Sequence, residues 1–99
     1  MTDDAELLRR YAKDRSEDAF TELVRRHLNL VYGAALRRAG GDAHKAADVA
    51  QLVFTELARK AASLTEHAVL TGRLYATTRN KAIDTIRSEL RRQTREKEA

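Results

Sequence analysis

The sequence predicts an all-α fold, a compact bundle of about four helices with no sheet. Strong helix formers (Ala, Glu, Lys, Leu and Arg) make up 56 of the 99 residues. The chain has no proline and only four glycines, so few positions interrupt a helix. Val, Ile, Thr, Phe and Tyr are too sparse for a sheet. A β-sandwich, a β-barrel and a βαβ nucleotide-binding fold are therefore excluded.

Length and composition also narrow the functional classes. A chain of 99 residues makes one domain with a single modest core. It has no cysteine, which excludes disulfides, thiolate metal sites and thiol catalysis. No apolar run approaches the ~18 residues of a membrane span, and the acidic start is unlike a signal peptide. We therefore expect a cytoplasmic protein with no membrane partner.

Two helices account for the first part of the chain. The first, over residues 3–13, has Leu7, Leu8 and Tyr11 on one side. Ser16 is the N-cap of the second, over residues 17–39. The second helix has apolar residues at three-and-four spacing, the pattern of a core-facing helix. That stripe, with one histidine in it, comprises Phe20, Leu23, Val24, His27, Leu28, Val31, Ala34 and Ala35.

Two further helices follow. Gly40 and Gly41 end the second helix, and Asp42 caps a third over residues 43–62. Residues 63–72 break the helical pattern and predict a loop. The fourth helix begins at about residue 72 or 73 and projects to a charged end near residue 96. The inward stripe of the third helix is Ala46, Ala50, Val53, Leu57 and Ala61, with Val49 and Phe54 at its edges.

The sequence gives little support to a catalytic function. The three histidines, His27, His44 and His67, form no H-x-x-x-H pair, and no glycine-rich phosphate loop is present. His27 lies between Val24 and Val31, which predicts a packing residue rather than a metal ligand. We therefore expect a protein that is not an enzyme, with no catalytic residues, no metal and no cofactor.

The fourth helix has an unusual charge distribution. Seven bases and two acids lie between Arg73 and Arg95. At 100° per residue, six polar residues fall on one side of this helix: Arg73, Thr77, Asn80, Asp84, Arg87 and Arg91. The half predicted to pack holds Tyr75, Thr78, Ala82, Ile83, Ile86 and Leu90. Arginine forks suit phosphates and amides suit base edges, although a charged stripe can also be simply a solvated face.

The outer side of the third helix has a second distinctive surface. His44, Asp48, Gln51, Thr55 and Arg59 line up there, with Leu52 beside them. A single exposed leucine is ordinary, but among polar side chains it can also anchor a helix-on-helix contact with another protein.

Both helices resemble those of a known family. Residues 42–54, DAHKAADVAQLVF, resemble the D-x-x-x-A-x-D-x-x-Q-x-x-F stretch of bacterial sigma factors. Residues 74–87, LYATTRNKAIDTIR, resemble the L-x-x-x-x-R-N-x-x-x-D-x-x-R helix that follows it. The two motifs, in this order, are similar to region 2 of the extracytoplasmic-function (ECF) group of the sigma-70 family. The resemblance covers residues 5–95.

The resemblance implies two binding roles. The first motif would dock on a coiled coil of the largest RNA polymerase subunit, with Asp48, Gln51, Leu52 and Thr55 as contacts and Phe54 as core support. The second would recognise and melt the −10 promoter element, binding the non-template single strand. The DNA-binding candidates are Arg73, Arg79, Asn80, Asp84, Arg87 and Arg91. The loop at residues 63–71 would capture a flipped-out base.

The resemblance is incomplete in two respects. Arg73 stands where the family commonly has tryptophan, and Thr77-Thr78 replaces an often aliphatic pair. A complete factor also has a helix-turn-helix domain for the −35 element, and residues 1–99, which we interpret as a single domain, supply none. The chain is then either an excised domain or one that has lost full promoter function. An anti-sigma protein is a further expected partner.

A second interpretation belongs to another class of protein. A helical interaction module or regulator could bind a partner without touching DNA. Salt-dependent binding to single-stranded non-template DNA would separate the two.

Overall fold

The computed structural model describes residues 2–64 and 69–98, which form four α-helices. The helices are α1 (Asp4–Asp14), α2 (Glu17–Arg38), α3 (Ala43–Leu64) and α4 (Leu70–Glu98). No strand occurs in these two ranges. The prediction of an all-α bundle of about four helices is therefore confirmed.

Local capping explains where the first three helices begin. The Asp3 carboxylate accepts the Glu6 amide at 2.9 Å, the Ser16 hydroxyl accepts the Ala19 amide at 3.2 Å, and the Asp42 carboxylate accepts the Lys45 amide at 3.1 Å. Each cap satisfies an amide that has no partner inside its helix.

The break between α2 and α3 depends on backbone conformation. Gly40 and Gly41 have φ angles of 64° and 87°, in the left-handed region that glycine enters without strain. The Gly41 amide donates to the Leu36 carbonyl at 3.0 Å, closing the end of α2. The predicted helix stop at these glycines is confirmed.

The core lies where all four helices meet. The predicted stripe of α3 is buried, and Val49 and Phe54, expected at its edges, are also buried at 2% and 7% exposure. In α2 the predicted stripe is wrong at Leu28, which is 42% exposed. Other contacts to the core are made by Leu7 and Leu8 of α1 and by Leu70, Leu74 and Ala82 of α4.

The loop predicted at residues 63–72 is too long. Ser63 and Leu64 belong to α3, and α4 already begins at Leu70. The reason is apolar anchoring: Leu64 and Leu70 are each only 6% exposed, so burial extends both helices toward each other. Residues 65–68, the centre of the predicted loop, lie outside the described residues.

Helix α4 is longer than the bundle that supports it. Its 29 residues correspond to roughly 44 Å of helix, and the molecule measures 52 × 22 × 21 Å. Residues 90–98 are all exposed, so this part of α4 extends beyond the other helices. We call residues 90–98 the α4 arm.

Candidate functional site

The outer side of α3 presents the four residues predicted to contact a partner protein. Asp48, Gln51, Leu52 and Thr55 are all exposed, and together they line a shallow surface depression. Leu52 is 45% exposed, a large apolar side chain among polar neighbours. We call these four residues the docking face.

The backbone beneath the docking face is held firmly. Val53, Phe54 and Leu57 of the same helix are buried on its opposite side. The Thr55 hydroxyl donates to the Gln51 carbonyl at 2.7 Å, so this side chain is satisfied within the helix. The docking face is therefore a preformed surface, and a partner would not have to order it.

The second predicted surface lies along α4. Arg73, Asn80, Asp84, Arg87 and Arg91 are all exposed, and helical periodicity aligns them on one side of α4. We call these five residues the polar line. Within the described residues, none of its three arginines makes an ion pair, so their guanidinium groups remain available to a ligand.

Arg79 does not share the polar line. It is exposed, but it follows Arg73 by six positions and so lies about 120° away around the helix. A ligand that runs along the polar line would therefore meet Arg79 only at the side of the helix.

The face of α4 predicted to pack is only partly buried. Leu74, Thr78 and Ala82 are buried, but Tyr75 is 45% exposed and Leu90 is 56% exposed. The expectation of burial for these two is therefore wrong. The two residues are exposed for different reasons: Leu90 lies beyond the end of the bundle, whereas Tyr75 lies at the margin of the contact face.

The buried Thr78 shows why a hydroxyl is tolerated in this face. It is 0% exposed, and its hydroxyl donates to the Leu74 carbonyl at 2.7 Å. This hydrogen bond removes the cost of burying an unpaired polar group. The helix can thus keep its packing where the resembling motif often has an aliphatic residue.

Within residues 2–64 and 69–98, ion pairs link α4 to α3 at two positions. The Lys81 ammonium lies 3.4 Å from the Glu56 carboxylate, and the Lys45 ammonium lies 2.8 Å from the Glu89 carboxylate. The hydrogen bond from Lys45 to Glu89 raises the pKa of Lys45. Burial alone would raise the pKa of Glu56, but nearby cations, above all Lys81, outweigh burial and lower it.

A groove lies between the end of α3 and the start of α4. Its floor is apolar, with Leu57, Leu64 and Leu70, and its rim includes Glu56 and Arg73. Of the segment predicted to capture a base, Leu64 and Leu70 line this groove, which carries both hydrogen-bonding groups and apolar surface. Lys60 and Thr77 also line it.

His27 has a polar partner that sequence reasoning missed. It is buried, at 8% exposure, and its Nε2 lies 2.9 Å from the Asp4 carboxylate of α1. The other oxygen of Asp4 accepts from Arg26 at 3.3 Å. The prediction of a packed histidine is confirmed by this burial, and the carboxylate partner is an addition to it. Asp4 is 23 positions away, and no local sequence pattern indicates the contact.

The comparison with protein families decides the assignment. The model of the family Sigma-70 region 2 matches residues 23–94. The chain belongs to this family. Comparison with curated proteins and with solved structures found no match.

Membership in the sigma-70 region 2 family sets the general function. Domains of this family are parts of transcription initiation factors; they bind RNA polymerase core and recognise the −10 promoter element, and they are not enzymes. The docking face and the polar line both lie inside the matched residues, whereas α1 and the first turns of α2 precede them. Among residues 2–64 and 69–98, no helix is both long and apolar enough to cross a membrane.

Proposed function

We propose that this chain is the region 2 domain of an ECF sigma factor of the sigma-70 family. It docks through Asp48, Gln51, Leu52 and Thr55 on the coiled coil of the largest RNA polymerase subunit. The observation that carries this proposal is the simultaneous exposure of two different surfaces on adjacent helices, both within the family match. In this proposal the protein works in the cytoplasm, and an anti-sigma protein regulates it.

The DNA part of the proposal concerns the non-template strand of the −10 element. Arginines of the polar line bind phosphates of the strand, while Asn80 faces a base edge or braces the segment that precedes α4. Arg79 and Asp84 complete the set of contacts. Arginines without internal partners support this role, because a strand phosphate would not have to displace an existing ion pair.

Melting requires a place for an unstacked base. The groove between α3 and α4 has apolar floor residues and polar rim residues, which suits a planar base that packs a flat face on apolar side chains and forms hydrogen bonds along an edge. We propose that a flipped-out base is held beside this groove, where its contacts offset the cost of unstacking.

The experiment for docking compares Leu52→Glu with Leu90→Glu in a binding assay with purified bacterial RNA polymerase core. Both leucines are exposed, at 45% and 56%, and both changes add one negative charge. We expect Leu52→Glu to abolish core binding and Leu90→Glu to retain it. Both free energies of unfolding should stay within about 0.5 kcal/mol of the parent. A folded Leu52→Glu variant that still binds core would contradict the docking face.

The same purified proteins can distinguish a sigma factor domain from a helical interaction module that does not bind DNA. Holoenzyme and the isolated chain are each titrated with −10 non-template strand at several salt concentrations. A sigma factor domain should bind with an affinity that falls steeply as salt rises. If core binds but no strand binding appears even in holoenzyme, the interaction module becomes the better description.

A further inference from the structure

The ion pair between Lys45 and Glu89 lies where α4 leaves the bundle. Its atoms are 2.8 Å apart, and the side chains are 39% and 26% exposed. Glu89 is the last partly buried residue of α4, and every residue of the α4 arm that follows it is exposed. The pair is therefore the outermost attachment of α4 to α3 among the described residues.

Glu89 is an acid in a strongly basic stretch of helix. Arg87 and Arg91 lie two positions before and after it, and each of these steps turns the helix by about 200°. Its carboxylate therefore points toward α3, away from Arg87 and Arg91. It leaves their charge uncompensated while making its own contact with Lys45.

A second pair, Lys81 with Glu56, joins the same two helices eight residues earlier. The two attachments are about 12 Å apart along α4. Burial of Leu74, Thr78 and Ala82 orients the earlier turns of α4, and the Lys45–Glu89 pair is the attachment nearest to the α4 arm. Arg91 lies just beyond the outer one, on the α4 arm.

We infer that Lys45 and Glu89 are positioning residues that fix the exit direction of α4, and so hold Arg91 at a defined place relative to the docking face. This inference rests on the proposed function, because it concerns how polymerase docking through α3 aligns α4 with the strand. A partly exposed ion pair is weak in itself, so its effect is felt in geometry more than in stability.

The decisive variant is Glu89→Lys, because a purely electrostatic effect and a loss of positioning would change promoter opening in opposite directions. It raises the net charge of the DNA-binding helix by two units, so electrostatics alone would tighten strand binding and increase promoter opening. Loss of positioning should instead reduce promoter opening by holoenzyme about threefold to fivefold. The swap Lys45→Glu with Glu89→Lys restores an opposite-charge pair and should recover opening to near the parent value.

Glu96→Lys is the matched control. It makes the same charge change on the α4 arm, at a side chain that is 70% exposed and lies near Arg92 of its own helix rather than α3. It should leave promoter opening unchanged or increase it. Circular dichroism and thermal unfolding of each variant exclude loss of the fold as the cause of any decrease.

A direct distance measurement tests the geometry without DNA. The chain contains no cysteine, so spin labels can be introduced through Ala47→Cys on α3 and Thr94→Cys on the α4 arm, both exposed positions. The distance distribution between them should broaden in Glu89→Lys and narrow again in the swap.

An unchanged distribution, together with promoter opening by Glu89→Lys at or above the parent level, would overturn the inference. Failure of the proposed function has a different signature. In that case the parent holoenzyme itself would neither bind the strand nor open a promoter, while the distance measurement would still report on the attachment.

Discussion

Asp4 shows how a single carboxylate can connect two helices. It lies in the first turn of α1, where a negative charge is favoured by the helix dipole. Its two oxygens receive Arg26 at 3.3 Å and His27 at 2.9 Å, both from α2. The His27 side chain is only 10% exposed and has no other side-chain partner among the described residues, whereas Arg26 also pairs with Glu22 at 3.2 Å.

We therefore predict that Asp4→Ala lowers the free energy of unfolding by about 1–2 kcal/mol, because Arg26 and His27 would be left without this acceptor. Urea unfolding measures the difference. Asp84→Ala is the control, since Asp84 is an exposed acid with no ion pair among the described residues. Equal stability of the Asp4 and Asp84 variants would show that the contact contributes little.

Asn80 is the residue of the polar line best suited to sequence discrimination. Its amide offers both a donor and an acceptor, whereas the neighbouring arginines only donate. We predict that Asn80→Ala reduces the preference for a −10 strand over a scrambled strand more than it reduces overall affinity. Paired titrations in holoenzyme measure both quantities. An equal loss for both strands would assign Asn80 to general strand binding.

At the scale of the element, α4 combines three faces. One packs against α2 and α3, one presents the polar line, and a third carries Arg79, about 120° from Arg73. Helical periodicity creates all three from one continuous segment. A strand that follows the polar line would contact groups spaced along the helix axis.

We predict that Arg87→Ala and Arg91→Ala each weaken binding to all strand sequences and each reduce the salt slope by about 0.7, because each removes one phosphate contact. Salt titrations in holoenzyme measure the slope. Arg38→Ala on α2 is the control, because it removes the same charge from an exposed position on another helix. Should neither α4 variant change strand binding or promoter opening, the polar line is only a solvated face.

The ion pair that attaches α4 to α3 at Glu56 predicts that the stability of the fold depends on pH. The pKa of Glu56 is lowered in the folded protein, despite burial, by Lys81, Lys60 and Arg59. A lowered pKa means that the folded state holds its proton less tightly than the unfolded state. The stabilisation is therefore complete above the ordinary pKa of 4.5 and is lost as pH falls through the lower folded value.

We predict that Glu56→Gln is less stable than the parent at pH 7, by about 1 kcal/mol, and that this difference shrinks as pH falls below 4.5. Thermal unfolding across this range gives the comparison. Glu96→Gln, at a 70% exposed side chain, should track the parent at every pH. A difference for Glu56→Gln that is constant with pH would point to packing rather than charge.

At the scale of the whole molecule, the sequence predicts well what depends on local rules. The glycine stop at residues 40 and 41 and the caps at Ser16 and Asp42 follow from backbone preferences of single residues, and the structure has them at those positions. The exposure of Asp48 and Leu52 follows equally directly from the apolar stripe on the other side of α3.

Features that depend on distant contacts were not predictable in this way. The contact of His27 with Asp4 joins residues 23 positions apart, and the helical state of Leu64 and Leu70 depends on the core that buries them. The exposure of Leu90 depends on where the other helices end, and the periodicity of α4 carries no information about those ends. The binding roles of the docking face and polar line remain predictions.

The continuity of α4 has a consequence for how its arm forms. An isolated helix of nine residues would be marginal in water, because the first turn fixes several residues for a single hydrogen bond. The α4 arm avoids this nucleation step, since it continues a helix whose earlier turns are already ordered by burial of Leu74, Thr78 and Ala82. Each further residue then only extends an existing helix, which adds one hydrogen bond for each residue that is fixed. The cooperativity of the packed bundle is thereby extended, one turn at a time, into a segment that has no core of its own.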